Sequence, residues 1–192
     1  NFFENEIIPI NGIVVDGCVR PETSLESMSK LKPAFNKDGV VTAATSSPLT
    51  DGAAAVLVCS ADYANNNDLE ILAYIRGMAV SGCAPEIMGI GPVLSSQKAL
   101  ERAGINLEDV DIIEMNEAFA AQSLACVEEL GIDMSKLNIH GGAIAMGHPL
   151  GASGARITGK AASLLKETGK RYALSTMCVG GGQGCATVLE RA

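Results

Sequence analysis

Three short segments concentrate side chains able to move protons or to meet developing charge: Asn116-Glu117, Gly147-His148-Pro149, and Cys178 with Gly180, Gly181 and Gly182 behind it. His148 is one of two histidines in the chain and is held between a glycine and a proline, a few residues before a predicted helix. A helix N-terminus lowers the proton affinity of an imidazole and points backbone donors toward anions. The glycines behind Cys178 let a substrate approach backbone N–H groups closely enough to stabilise an oxyanion. Asn116 and Glu117 stand where a predicted strand passes into a helix. Taken singly, each segment has a structural explanation that suffices: a surface histidine in a turn, a buried cysteine at a strand end, and a helix cap with an acidic first turn. Their shared feature is that each follows a predicted strand, and open α/β sheets build their sites in the crevice beyond the carboxyl ends of the strands.

The elements that must position these groups are legible from residue 69 onward. The pattern predicts strands at 71–80, 111–115, 137–139, 172–178 and 185–190, with helices at 92–103, 118–130 and 152–168. Phe119, Cys126, Val127 and Leu130 fall on one face of the second helix, and Ile157, Ala161, Leu164 and Leu165 on one face of the third. Such alternation predicts an α/β fold with a mixed, mostly parallel sheet flanked by helices and closed by an antiparallel pair. Residues 1–49 are irregular and rich in turn chemistry, with a short helix expected at 25–31 capped by Thr23 or Ser24, and a strand at 40–44. Asp51-Gly52 is expected to turn into an apolar element at 53–59.

Composition limits the function classes. The chain has 47% hydrophobic and 19% charged residues, enough apolar material for a packed core. Its 14 basic and 22 acidic residues give a net charge of -8, which opposes binding to nucleic acid or an anionic membrane surface. The longest apolar run, 53–59, is far shorter than the roughly 20 residues of a membrane span. The six cysteines form no CxxC pair, which fits a reducing compartment, and no His/Cys/carboxylate spacing suits a protein metal site. The sequence begins at Asn1 as if in mid-domain, so a preceding segment is expected.

Taken together, the three segments resemble the thiolase family. Residues 138–156, containing Gly147-His148-Pro149, are similar to its GHP signature; 116–119 to its Asn-Glu-Ala-Phe motif; and 177–184 to its C-terminal cysteine-glycine motif. Three long motifs stand in the family order, and the resemblance runs over nearly the whole chain, as the family's C-terminal half. The resemblance implies a thiolase-like layered fold and the cleavage or formation of 3-ketoacyl-CoA, with coenzyme A as substrate and no bound cofactor or metal. It implies that His148 activates a nucleophilic thiol and helps bind the thioester oxygen, with Asn116 holding a water beside it. Cys178 would be the acid/base and the Gly180 N–H part of a second oxyanion hole. Ser47, Leu49, Ala118 and Phe119 match positions lining the CoA tunnel. His140 stands where many thiolases carry asparagine, and reads as support for its loop. Residues 20–23 and 81–93 look more like the degradative thiolases of fatty-acid oxidation than the biosynthetic ones.

The resemblance also divides the chain: 1–49 as the end of the family's loop domain and the return from it, 50–68 as a return segment of the N-terminal lobe, and 69–192 as the C-terminal domain. The expected partners are acyl-CoA and the missing N-terminal half, in a parent homodimer or homotetramer located in the cytoplasm or an organelle. One departure matters. Thiolases carry the nucleophile as Cys-Gly-Ser or Cys-x-Ser-Gly in the N-terminal half, and none of the six cysteines has that setting. The chain alone is therefore expected to be inactive, and a non-catalytic fragment or binding module is the alternative reading. The related ketoacyl synthases usually have histidine in place of the C-terminal cysteine, so Cys178 argues against them. Gly154 to Lys160 opens like a phosphate loop, but Ala161 replaces the magnesium-binding hydroxyl and the segment lies within a helix, which excludes it.

Overall fold

The computed structural model describes residues 2–192. Four strands form one sheet: β1 (Ala73–Gly82), β2 (Ile112–Met115), β3 (Tyr172–Val179) and β4 (Gln183–Arg191), in the spatial order β1-β4-β3-β2. β2 and β3 are parallel, whereas β1 with β4 and β3 with β4 are antiparallel. The mixed sheet is as expected; its mostly parallel character is not. β1, β2 and β3 all run the same way, yet β4 turns back from β3 and takes the place between β3 and β1. One reversed strand inside the sheet thus converts two of the three pairings to antiparallel.

Helices cover both faces. α3 (Gly91–Ala103) and α4 (Ala120–Leu130) lie on one side and α6 (Ser153–Thr168) on the other. The period-two geometry of β2 sorts its side chains between them: Ile113 and Met115 join Ala99, Leu100 and Cys126, while Ile112 joins Ala161, Leu164 and Leu165. The helical stripe of Ile157, Ala161, Leu164 and Leu165 is buried throughout. Each of the two leucines contributes about 1.5–3 kcal/mol by its burial.

Among the described residues before β1, the α-helices are α1 (Leu25–Ser29) and α2 (Ala61–Asn66). The Ser24 hydroxyl accepts from Ser27 N–H and caps α1, one of the two caps expected; Ser60 caps α2 in the same way. Two expected strands, 40–44 and 137–139, are absent. Residues 40–44 form no strand because Thr42 and Thr45 turn the chain on itself: Thr45 Oγ1 accepts from Thr42 N–H at 2.8 Å, and Thr45 N–H donates to Thr42 O at 3.1 Å. The apolar run 53–59 has no regular secondary structure, with Leu57 and Val58 each about 70% exposed. Near 137–139 only one bridge forms, Leu137 to Ile113. Asn138 there has a positive φ of 44°, which ends any ladder.

Candidate active site

Asn116 follows directly on β2, and its backbone N–H donates to Thr176 O of β3 at 3.0 Å. That bond places Asn116 beside the Met177-Cys178 end of β3. Its side chain is fully buried, and neither its carbonyl oxygen nor its NH2 group has a hydrogen-bond partner among the described residues. An unpaired buried amide costs on the order of 1–3 kcal/mol, so the site has a strong demand for a polar group here.

His148 comes from the loop between α5 (Ala143–Met146) and α6. Its Nδ1 lies 2.6 Å from Ser153 Oγ at the start of α6, and Ser153 Oγ in turn donates to Pro149 O at 3.1 Å. Burial first, and then the positive charge of Arg156, hold the imidazole below its ordinary proton affinity. Nothing else hydrogen-bonds the ring among the described residues, which leaves Nε2 for a reacting group.

The loop carrying His148 is held from several sides. Gly147 has φ 98°, a conformation that suits glycine, and its α-carbon packs against Thr50. Pro149 packs against Gly52. Upstream, Glu117 receives Asn138 Nδ2 at 2.7 Å and Ile144 N–H at 3.1 Å, so its charge sits at the first turn of α5. Asn138 also bridges Met115 N–H and O, each at 2.9 Å, tying the loop to the end of β2. Lys160 of α6 donates to Gly141 O at 3.0 Å while lying 3.5 Å from buried Glu114.

Cys178 is buried near the end of β3, opposite Gly184 in the hairpin with β4. Burial, reinforced by neighbouring Cys126, raises its thiol to about 11, so it rests as the protonated form at neutral pH. Gly182, with φ 86°, closes the turn so tightly that an added Cβ would meet Cys83 O. Gly180 is exposed at the same turn, directly after β3.

Asn116, Cys178 and Gly180 therefore gather at the carboxyl ends of β2 and β3. His148 reaches that end through α6, whose Gly154 faces Met177. No hydrogen bond joins His148, Asn116 and Cys178 to one another among the described residues. Of the four positions matched to a CoA tunnel, three meet at one bridge. Ser47 N–H and Oγ both donate to Ala118 O, at 3.0 and 3.3 Å, and Ser46 pairs with Phe119. Ala120 N–H then donates to Thr45 O at 2.9 Å, so this segment also satisfies the open N-terminus of α4. Leu49, just beyond, is almost fully exposed. Ser153, Glu117 and Lys160 hold the site through contacts that the motif spacing does not reveal. Only the His148-to-Ser153 spacing across a helix start hinted at the first of these.

Comparison with known proteins agrees with this architecture. Residues 69–191 match the family described as "Thiolase, C-terminal domain", and residues 1–62 match "Thiolase, N-terminal domain". Curated relatives named 3-ketoacyl-CoA thiolase, from Vibrio vulnificus and Aliivibrio fischeri, are 52% and 50% identical over 98% and 99% of this chain. The chain spans 52% of the length of each, about half. Among solved structures, human mitochondrial 3-ketoacyl-CoA thiolase in complex with CoA superposes with a TM-score of 0.93 at 44% identity, over 100% of this chain and 49% of that one. The Bacillus anthracis acetyl-CoA acetyltransferase gives 0.90 at 44% identity, over 92% and 45%.

Proposed function

Because the chain belongs to the thiolase family, we propose that it supplies the proton-transfer and oxyanion-binding half of an acyltransferase that cleaves 3-ketoacyl-CoA with coenzyme A, or runs the reverse condensation. The observation that carries this reading is the fully buried Asn116 amide without a partner, beside a thiol held protonated and a loop that presents His148 Nε2.

The chemistry closes with these groups in a fixed order. His148 Nε2 accepts the proton of a nucleophilic thiol supplied by the rest of the enzyme, and the thiolate adds to the 3-keto carbonyl. The Gly180 N–H meets the oxyanion so formed. Its collapse breaks the carbon-carbon bond and expels the α-carbanion of acyl-CoA. Cys178 gives its proton to that carbanion, which its high proton affinity suits once a stronger base appears. The resulting Cys178 thiolate takes the proton of an incoming CoA thiol, which attacks the acyl-enzyme thioester. The oxyanion that re-forms at the same carbonyl again meets the Gly180 N–H, whereas a water on Asn116, together with His148, binds the thioester oxygen of acyl-CoA while its α-carbanion exists. Expulsion of the enzyme thiolate, which recovers its proton from the imidazolium, resets both groups. Ser47, Leu49, Ala118 and Phe119 form part of the wall along the CoA pantetheine arm.

A binding-only module gives no account of the unpartnered Asn116, whereas an oxyanion-site water does. We read residues 1–49 as the end of the loop domain and the return from it, 50–68 as a segment of the N-terminal lobe, and 69–192 as the C-terminal domain. The working enzyme is a homodimer or homotetramer of complete chains in the cytoplasm or an organelle. The test is CoA-dependent cleavage of acetoacetyl-CoA by the enzyme containing this chain. Cys178→Ala and His148→Ala should each lower turnover by about 100-fold to 10,000-fold with the circular dichroism spectrum retained. Unchanged turnover in either variant removes that residue from the mechanism.

A further inference from the structure

We propose that Ser153 is a positioning residue that fixes the tautomer of His148, keeping the neutral ring's proton on Nδ1 so that the Nε2 lone pair faces the thiol to be deprotonated. The inference rests on His148 being the base and adds how the fold makes it one.

The reasoning is a count of hydrogens. A neutral imidazole carries one N–H, and a serine hydroxyl offers one donor and two acceptor lone pairs. Ser153 Oγ lies between two groups: Pro149 O at 3.1 Å, which can only accept, and His148 Nδ1 at 2.6 Å. With the serine hydrogen directed to Pro149 O, the short contact to the ring must be Nδ1–H donating to Oγ. Ser153 is fully buried, so solvent does not compete for its hydroxyl.

The opposite arrangement, with Ser153 donating to Nδ1, puts the ring proton on Nε2 and removes the lone pair the reaction needs. It also fails once the ring is charged. After accepting a proton, His148 has an N–H on both nitrogens, and Ser153 must then be the acceptor. Only the arrangement in which it already accepts lets the proton arrive at Nε2 without the hydroxyl turning, which is preorganisation in its simplest form.

The choice of a hydroxyl also suits the reaction. A carboxylate at Nδ1 would hold the imidazolium firmly, whereas a neutral oxygen orients the ring and, with Arg156 nearby, leaves the proton easy to return to the enzyme thiolate. The serine sits on the first turn of α6, so the helix that anchors the His148 loop also sets the ring's chemistry.

The test uses the complete enzyme labelled with 15N-histidine, with the His148 signals assigned by their loss in His148→Gln. The unsubstituted enzyme should show a protonated, pyrrole-type Nδ1 and a pyridine-type Nε2. Ser153→Ala should move the ring toward the Nε2–H form and lower kcat by about tenfold, a fraction of the 100-fold or more that a general base contributes, with KM nearly unchanged. Ser153→Thr, which keeps the hydroxyl, should recover kcat and the tautomer together. An Nε2-protonated ring in the unsubstituted enzyme overturns the inference whether or not any variant folds. So does a Ser153→Ala enzyme with unaltered kcat and spectrum. Full turnover by His148→Gln would instead overturn the underlying reading of His148 as the base.

Discussion

At the scale of single residues, the two proposed proton carriers, His148 and Cys178, are both held toward their uncharged forms. The ordinary histidine takes up a proton near neutral pH, but burial and the Arg156 cation lower that affinity for His148. The acid limb of the kcat/KM profile should accordingly lie below the ordinary histidine value. Replacing Arg156 by Gln removes a charge that opposes imidazolium, so the limb should move to higher pH. A pH-rate profile of the complete enzyme measures this, and a limb that stays in place would assign the shift to burial alone. Cys178 is displaced the other way, to about 11. Both shifts favour the neutral form, and both come chiefly from desolvation.

At the scale of elements, the segment between α4 and α6 is set by close packing that admits little change. Gly142 presses on the Glu117 carboxylate so closely that an alanine Cβ would collide with it. Gly142→Ala should therefore push α5 away from Glu117, displace His148 and lower kcat, with unfolding at nearly the original temperature. A large loss of thermal stability with normal kcat would show that the loop bears on folding rather than on the site. Under the same loop, Lys160 of α6 and Glu114 of β2 form an ion pair with both side chains almost fully buried. At 3.5 Å it is an ion pair more than a hydrogen bond, and Glu114 Oε1 has no hydrogen-bond donor among the described residues. Burial lifts Glu114 to about 7 against the downward pull of Lys160. An unfolded glutamate ionises near 4.5, so between that value and about 7 the folded state binds more protons, and this group makes stability fall as pH rises. Lys160→Met removes the compensating charge. Glu114 should then stay protonated past pH 7, so the cost should grow as pH rises above 7 and be smaller near pH 5, where the carboxyl is neutral in either protein. Denaturant titrations at the two pH values check the sign.

At the scale of the whole molecule, the distribution of apolar surface is uneven. The sheet and helices from β1 onward enclose two buried clusters, whereas the preceding chain leaves Ile8, Phe35, Val40, Leu49, Leu57 and Val58 largely in solvent. β1 adds Met78 and Val80 on its outer side. An expanse of this kind is an interaction surface or an aggregation hazard. The isolated 192-residue chain should bind an apolar fluorescent dye strongly and self-associate as its concentration rises. A monodisperse monomer without dye binding, by light scattering and fluorescence, would mean that these side chains find cover within the chain itself.

Most of what lies within a single element was legible in the sequence. The buried stripe of α6, the Ser24 cap, the final hairpin and the three motif segments all depend on neighbours a few residues apart, where periodicity and turn chemistry act. The sequence alone also determined the family likeness, because the residues around His148, Asn116 and Cys178 form long ordered motifs. The tertiary structure decided what depends on distant partners. It placed β4 between β1 and β3, seated Thr45 on the open end of α4 and Ser47 on Ala118 just before it, and left the Asn116 amide without a partner among the described residues. It also set Ser153 against His148 Nδ1, a contact only five residues long in sequence that exists because a helix begins at Ser153. Strand order and polar pairing depend on which surfaces meet once the helices have covered the sheet, and no local pattern encodes that.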